Sequence, residues 1–119
     1  MRYSGRLDIE KYRKVTDKMI LTDDGIITEN HIQHIIERRG RDFYNKYAGK
    51  FPEIIEGPDY IFKDKSADTS IVYKTFIEDN GSSVNVVIRL AVEGDDSVYK
   101  NSVITVMIKQ QTICPKAEK

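Results

Sequence analysis

The sequence predicts a single α+β domain, because helical signals crowd its first half and strand signals crowd its second half. The chain has 119 residues, 39% of them hydrophobic, which is enough for one core and too few for two domains. From Tyr60 onward the apolar residues recur with a period of two, and four strand candidates follow. We therefore expect short N-terminal helices to pack on one face of a four-stranded sheet.

Each predicted helix has a recognisable start or stop. Asp8 is a cap for a short first helix, and Thr28 caps a second helix that ends at Gly40. Isoleucines at 32, 35 and 36 give the second helix an apolar stripe. The remaining predicted segments are helical pieces at 42–48 and from Pro52 to Gly57, and extended pieces at 19–21 and 26–28.

The predicted strands are Tyr60–Lys63, Ser70–Glu78, Ser83–Glu93 and Ser102–Lys109. Asn80-Gly81 is a strong signal for a two-residue hairpin turn, and such a turn pairs Thr75 with Val86. In that register Lys74 lies opposite Val87, with Arg89 as its diagonal neighbour at roughly 7–8 Å. The alternate face, which carries Val84 and Val86, is predicted to lie under the helices.

Two cations in the middle of neighbouring strands form a candidate phosphate site. Lys74 and Arg89 repel each other, so an anion between them would be stabilised, and guanidinium matches phosphate oxygens in a bidentate manner. The alternative is that each cation pairs with a nearby carboxylate, or extends its charged end into water from an open sheet face. A period of two places Ser102 and Thr105 on opposite faces of the last strand, and the pattern leaves open which face joins these cations.

His31 and His34 are the only histidines, and both lie on the second predicted helix. His34 projects away from the isoleucine stripe and lies four residues before Arg38, so the two are neighbours on the helix surface. Imidazole is the natural proton carrier near neutral pH, which makes His34 a candidate acid or base. The alternative for both is an ordinary surface histidine.

Composition excludes several classes of function. The 19 basic and 19 acidic residues balance, which argues against a strongly basic nucleic-acid coat. The sequence has no transmembrane stretch and no apolar leader, and Cys114, its single cysteine, excludes a disulfide framework. No phosphate loop or metal-binding spacing is present, so we expect a cytoplasmic protein without cofactor or metal.

Four segments of the chain, in order, match known motifs. ITENHIQHIIER at 27–38 is similar to T-x-x-x-I-x-H-I-x-E-R-H, and IIEGPDYI at 54–61 is similar to E-I-I-x-x-P-D-Y-I. The other two are VVIRL at 86–90 and YKNSVIT at 99–105. Together the four resemble the phage–barnase–EndoU–colicin–RelE-like nuclease family. The resemblance covers roughly residues 15–109, which leaves 1–14 as an N-terminal extension and 110–119 as a tail of one nuclease-like domain.

The resemblance implies N-terminal helices packed on a four-stranded antiparallel sheet, and a phage- or toxin-associated ribonuclease that needs no metal. By position, the catalytic residues it implies are His34, Arg89, Lys74, and Ser102 or Thr105. Arg38 and Arg39 join Lys74 and Arg89 as candidate RNA-binding cations. Arg39 stands where the family often has a second histidine, so the second proton-transfer group is unassigned; Tyr99 and Arg39 are candidates.

These observations predict an endoribonuclease that cuts RNA through attack by its own 2′-hydroxyl, leaving a 2′,3′-cyclic phosphate. The expected partners are RNA, including tRNA or ribosome-associated RNA, and a cognate inhibitor protein, with no membrane. Two alternatives remain at this stage. One is a module of the same fold that binds RNA or a ribosomal surface without cutting, and the other is a structural phage protein-interaction domain, in which Lys74 and Arg89 pair with carboxylates.

Overall fold

A six-stranded mixed sheet forms the centre of the protein in the computed structural model, which describes residues 2–76, 83–96 and 99–109. The strands are β1 (Arg2–Arg6), β2 (Asp24–Ile27), β3 (Tyr60–Lys63), β4 (Thr69–Thr75), β5 (Ser83–Arg89) and β6 (Asn101–Lys109). The helices are α1 (Ile9–Tyr12), α2 (Glu29–Arg39), α3 (Arg41–Ala48) and α4 (Phe51–Glu56), with a 3₁₀ turn at Arg13–Val15. Among the described residues, no helix is both long and apolar enough to span a membrane.

The α+β class is confirmed in general, but the prediction of a four-stranded antiparallel sheet is wrong. The strand order is β1-β2-β6-β5-β4-β3, and β2 runs parallel to β6. The two additional strands come from the N-terminal region, where β1 falls inside the predicted extension. Its sequence, RYSGR, lacks the apolar alternation by which a strand is predicted. The strand is bulged between Tyr3 and Gly5, and it packs closely on α4 through Gly5. A Cβ at Gly5 would come within 2.9 Å of the Pro52 Cα atom, and its φ of 133° also favours glycine.

Helix boundaries agree well with the capping signals. The Asp8 side chain accepts a hydrogen bond from the Glu10 amide, and Thr28 Oγ1 accepts one from the His31 amide, so both predicted caps are confirmed. Gly40 ends α2 with φ 96° and donates to the Ile36 carbonyl. The predicted extended segment at 19–21 forms an isolated bridge between Ile20 and Val92 rather than a strand.

One face of the sheet forms the core with the helices. Val72, Val84 and Val86 are fully buried there, together with Val103 and Val106 of β6. The helices contribute Ile35, Tyr44, Phe51, Ile54 and Ile55 to the same cluster. The opposite face, here called the helix-free face, carries the residues that alternate with these: Ile26, Ser102, Thr105, Met107, Asn85, Val87, Arg89, Thr69, Ile71, Tyr73, Tyr60 and Phe62.

The predicted register of the β4–β5 hairpin is wrong by three residues. Thr75 pairs with Ser83, and Val72 pairs with Val86, whereas a two-residue turn would pair Thr75 with Val86. The predicted turn at Asn80-Gly81 lies outside the described residues, but the pairing leaves seven residues, 76–82, to connect the strands. An odd shift reverses the faces of β4 relative to β5. Tyr73 therefore lies on the helix-free face with Arg89, and Lys74 lies on the helix-covered face.

Candidate functional site

A pocket of about 380 Å³ opens on the helix-free side, where β5 ends and β6 begins. Its apolar lining is Ile26, Leu90 and Ala91. Its polar lining is Thr28, Arg89, Asp95, Tyr99, Lys100 and Ser102. The pocket thus contains two cations, two aliphatic hydroxyls, a phenol and one carboxylate. Cations and hydroxyls in one concavity are suited to binding a small anionic group.

Strand pairing places the central residues of this pocket. Arg89 is the direct cross-strand partner of Ser102, and Ser102 is in turn the partner of Ile26 on β2. Cross-strand partners on one face have Cβ atoms about 4.5–5.5 Å apart, so the serine hydroxyl lies beside the base of the arginine side chain. The β2–β6 pairing that completes this wall was not part of the predicted sheet.

A β-bulge brings both predicted hydroxyls to the same face. The register changes between Val87, which pairs with Thr105, and Ile88, which pairs with Val103, so Ile104 is an extra residue on β6. Ser102 and Thr105 therefore both lie on the helix-free face, whereas strict alternation predicts opposite faces. Bulges commonly redirect side chains next to functional sites. Thr105 lies level with Val87, one repeat of about 7 Å along the strand from Ser102.

Arg89 is held at the pocket by two contacts. Its Nη1 donates to the Leu90 carbonyl and lies 3.5 Å from Asp95 Oδ2, while 41% of the side chain remains exposed. Asp95 also accepts a hydrogen bond of 3.0 Å from the Val92 amide, so the turn itself fixes this carboxylate. The guanidinium is therefore partly neutralised yet still open to the pocket.

Asn101, which the sequence reasoning missed, ties together the segments that surround the pocket. Its buried amide donates to the carbonyls of Thr22 and Asp24 at 2.7 and 2.9 Å and accepts from the Ala91 amide at 2.8 Å. Next to it, Lys100 pairs with Asp24 at 3.2 Å. An isolated asparagine at the start of a strand carries no periodic signal, so only the three-dimensional pairing identifies it as a positioning residue.

The histidine that contacts the pocket wall is His31. Its Nδ1 lies 3.1 Å from Thr28 Oγ1, and Thr28 lines the pocket. Thr28 Oγ1 also accepts the His31 amide hydrogen at 3.3 Å, so this one hydroxyl contacts both the backbone and the ring of His31. His34 is exposed and lies about 4.5 Å further along the helix axis, outside the lining of this pocket.

Lys74 does not join Arg89, and the predicted pairing of these two cations is wrong. The Lys74 Nζ atom donates to the Gly57 carbonyl at 2.8 Å and lies 3.8 Å from Asp59 Oδ1. Thr69, not Lys74, is the partner of Arg89, so five residues, or about 17 Å of strand, separate the two positions. The lysine lies on the helix-covered face and holds the end of α4.

Arg38 and Arg39 also lie apart from the pocket. Both are exposed in the last turn of α2, and the Arg39 guanidinium lies 5.5 Å from the centre of the Phe43 ring. Thr28 caps the other end of this helix, about 15 Å away along its axis. The pocket thus brings together Arg89, Ser102 and Tyr99 of the predicted residues, with Thr105 nearby on the same face. His34, Lys74, Arg38 and Arg39 are outside its lining.

Among the described residues, no three His, Cys, Asp or Glu side chains are close enough together to hold a metal ion. No protein-family model, curated protein or solved structure shows significant similarity to the chain.

Proposed function

We propose that this protein is a metal-independent endoribonuclease whose pocket beside Arg89 binds the scissile phosphodiester. The observation that carries the proposal is the meeting of Arg89, Ser102 and Lys100 in one concavity, with His31 hydrogen-bonded to its wall. The nuclease resemblance supports the same reading independently, since it points to Arg89 and to a hydroxyl on the last strand. We place this activity in the cytoplasm on the sequence argument alone.

The chemistry requires three things of the protein. The 2′-hydroxyl of RNA attacks the adjacent phosphorus and loses its proton, the 5′-oxygen leaves and gains a proton, and negative charge builds on the phosphoryl oxygens. Arg89 and Lys100 supply the positive charge. The Ser102 hydroxyl, which donates to the Lys100 carbonyl at 3.2 Å in this structure, would turn its hydrogen toward the phosphate when RNA binds. His31 is the proton carrier that the geometry favours. Tyr99 lines the pocket and is 57% exposed, so its phenol is the second candidate.

One observation favours the structural alternative. In that reading Lys74 and Arg89 pair with carboxylates, and they lie 3.8 and 3.5 Å from Asp59 and Asp95. For Lys74 we adopt the structural alternative, because its side chain binds the Gly57 carbonyl at the end of α4. For Arg89 the ion pair is partly exposed, and such pairs contribute about 0–1 kcal/mol, so a phosphate can compete with Asp95 for the guanidinium.

A non-cleaving RNA-binding module is the second candidate function. The observation that favours it is that, among the residues that the structure describes, one histidine, His31, is hydrogen-bonded to a residue lining the pocket. Arg39 stands where the resembling family often has a second histidine. The proposed ligands in both cases are the single-stranded segments of RNA, including those of tRNA or ribosome-associated RNA. The proposed cognate inhibitor would act by covering this pocket.

Cleavage in the presence of EDTA separates the candidates. We expect the wild-type protein to convert single-stranded RNA into fragments with 2′,3′-cyclic phosphate and 5′-hydroxyl ends. A 2′-deoxy substitution at the cut site removes the nucleophile and should abolish that cut. Arg89→Ala and His31→Ala should each lower the rate by about 100-fold or more, as loss of an electrostatic or acid–base group does.

The matched comparison is His34→Ala on the same helix. If His34→Ala abolishes cleavage and His31→Ala does not, the acid–base role belongs to His34, as the resemblance implies, and our assignment to His31 is wrong. Binding that depends on Arg89, without product under any condition, would establish the non-cleaving module instead. Neither binding nor cleavage would leave the structural alternative.

A further inference from the structure

Three aromatic rings form a cluster on the helix-free face, at the far edge of the sheet from β1. Tyr60 and Phe62 come from β3, and Tyr73 comes from β4 as the cross-strand partner of Tyr60. Tyr60 is 65% exposed and Phe62 is 50% exposed. This cluster of Tyr60, Phe62 and Tyr73 is here called the aromatic platform.

The rings of the platform hold one another in place. The Phe62 ring is edge-on to Tyr73 with centroids 5.1 Å apart, and it lies nearly parallel to Tyr60 with centroids 6.1 Å apart. Edge-to-face contacts at such distances are favourable. Large aromatic side chains that keep half or more of their surface in water, yet are held by ring contacts, form an exposed apolar patch of the kind that marks ligand-binding surfaces.

The platform continues into the pocket across the same face of the sheet. Phe62 pairs with Ile71, Ile71 pairs with Val87, and Arg89 lies two residues beyond Val87. Phe62 and Arg89 are separated by two strand spacings across the sheet and by two residues along β5, so their Cα atoms lie about 12 Å apart. Among the described helix-free-face residues of β3 to β6, none is acidic, so the carboxylate nearest the Arg89 end of this path in the pocket lining is that of Asp95, which pairs with the guanidinium at 3.5 Å.

We propose that Tyr60, Phe62 and Tyr73 form a base-stacking subsite for single-stranded RNA whose phosphate is bound beside Arg89. This inference rests on the proposed function and adds where the flanking nucleotides lie. Every nucleobase offers a π-face, so stacking on these rings gives affinity with little sequence preference. The balanced charge of the chain fits this division, in which a few cations hold the phosphate and rings supply much of the remaining affinity.

Binding of 2′-O-methyl RNA tests the platform without any need for cleavage. The probe is a fluorescent single-stranded 2′-O-methyl oligonucleotide of eight residues, measured by anisotropy against wild type, Tyr60→Leu and Phe62→Leu. Because both positions are exposed, we expect the variants to fold, and each should weaken binding roughly 5-fold or more, as the loss of a stacked base does. The aromatic replacements Tyr60→Phe and Phe62→Tyr should bind as wild type does.

A second ligand isolates stacking from other effects. An oligonucleotide with abasic sites outside the central dinucleotide should bind wild type and the leucine variants equally. The platform proposal is overturned if the leucine variants bind the full oligonucleotide like wild type, or if they lose the same affinity for the abasic one. It is also overturned if the leucine variants change only the oligomeric state, which would mark a self-association surface. If wild type binds neither ligand while it remains folded, the proposed function itself fails.

Discussion

Asp95 controls how accessible Arg89 is to an anion. Its carboxylate lies 3.5 Å from the guanidinium and is fixed by the Val92 amide, so the pocket contains a built-in competitor for a phosphate. A partly exposed ion pair of this kind contributes about 0.2–1 kcal/mol, which an incoming phosphate must replace. The same carboxylate holds the guanidinium at the pocket.

Asp95→Asn should therefore tighten RNA binding about 2- to 5-fold, because the shape of the turn is kept while the competing charge is removed. The measurement is anisotropy with 2′-O-methyl RNA at fixed ionic strength. Asp42→Asn removes the same charge from an exposed position on α3 and is the control for net charge. Equal changes in both variants, or weaker binding in Asp95→Asn, would show that Arg89 does not bind the RNA phosphate.

Lys74 has a structural role. Lys74→Met should lower the free energy of unfolding by about 1 kcal/mol, because the Gly57 carbonyl loses a charged donor at 2.8 Å in a partly buried position. RNA affinity should not change. Lys63→Met, an exposed substitution on β3, is the matched control and should alter stability by less than about 0.5 kcal/mol. A loss of RNA binding in Lys74→Met with unchanged stability would contradict this assignment.

At the scale of elements, the loop between β3 and β4 is stabilised by a buried carboxylate. Asp68 accepts a 2.6 Å hydrogen bond from Thr16 Oγ1 and pairs with Lys18. The hydroxyl of Thr16 holds the pKa of this carboxyl below its usual range, and the charges of Lys18 and Arg89 act in the same direction against the effect of burial. Asp68 thereby joins the segment after the 3₁₀ turn to the start of β4.

Since the folded-state pKa of Asp68 is lowered, its contribution to stability is complete above the unfolded-state value of about 4 and is lost as the pH falls through the folded-state pKa. Asp68→Asn should cost about 1 kcal/mol at pH 7, and the difference from wild type should shrink progressively as the pH falls below about 4. Urea unfolding at neutral pH and at a series of acidic pH values measures this. A difference that is independent of pH would show that the carboxylate charge is not the cause.

The bulge in β6 shows why periodicity found the strand but misplaced its side chains. Alternation correctly predicts an extended segment near 102–109. In the structure the residues of this strand that are buried in the core include Val103 and Val106. It cannot reveal that Ile104 is an extra residue, since a bulge depends on pairing with β5 rather than on local composition. The same limit applies to the register of the β4–β5 hairpin. The Asn80-Gly81 turn signal predicts that Thr75 pairs with Val86, whereas Val72 pairs with Val86 in the structure.

At the scale of the whole molecule, the pocket depends on contacts between distant parts of the chain. The sequence predicted the α+β class and the helix caps, because these depend on local patterns, and three candidates named from the sequence, Arg89, Ser102 and Tyr99, line the pocket. It missed the pairing of β2 with β6 and the role of Asn101, whose side chain donates to residues 77 and 79 positions away in the sequence. Such pairings are encoded by the packing of the complete core, as the Gly5 contact with Pro52 illustrates.

The most direct test of the account is to locate RNA on the folded protein. A 2′-O-methyl oligonucleotide, which cannot be cut, is titrated into the isotope-labelled chain while backbone amide chemical shifts are recorded. We predict shifts centred on Thr28, Arg89 and Ser102, extending across the helix-free face toward Phe62, and their loss in Arg89→Ala. Shifts centred instead on Arg38 and Arg39 at the far end of α2, or no shifts at millimolar RNA, would contradict the proposed site.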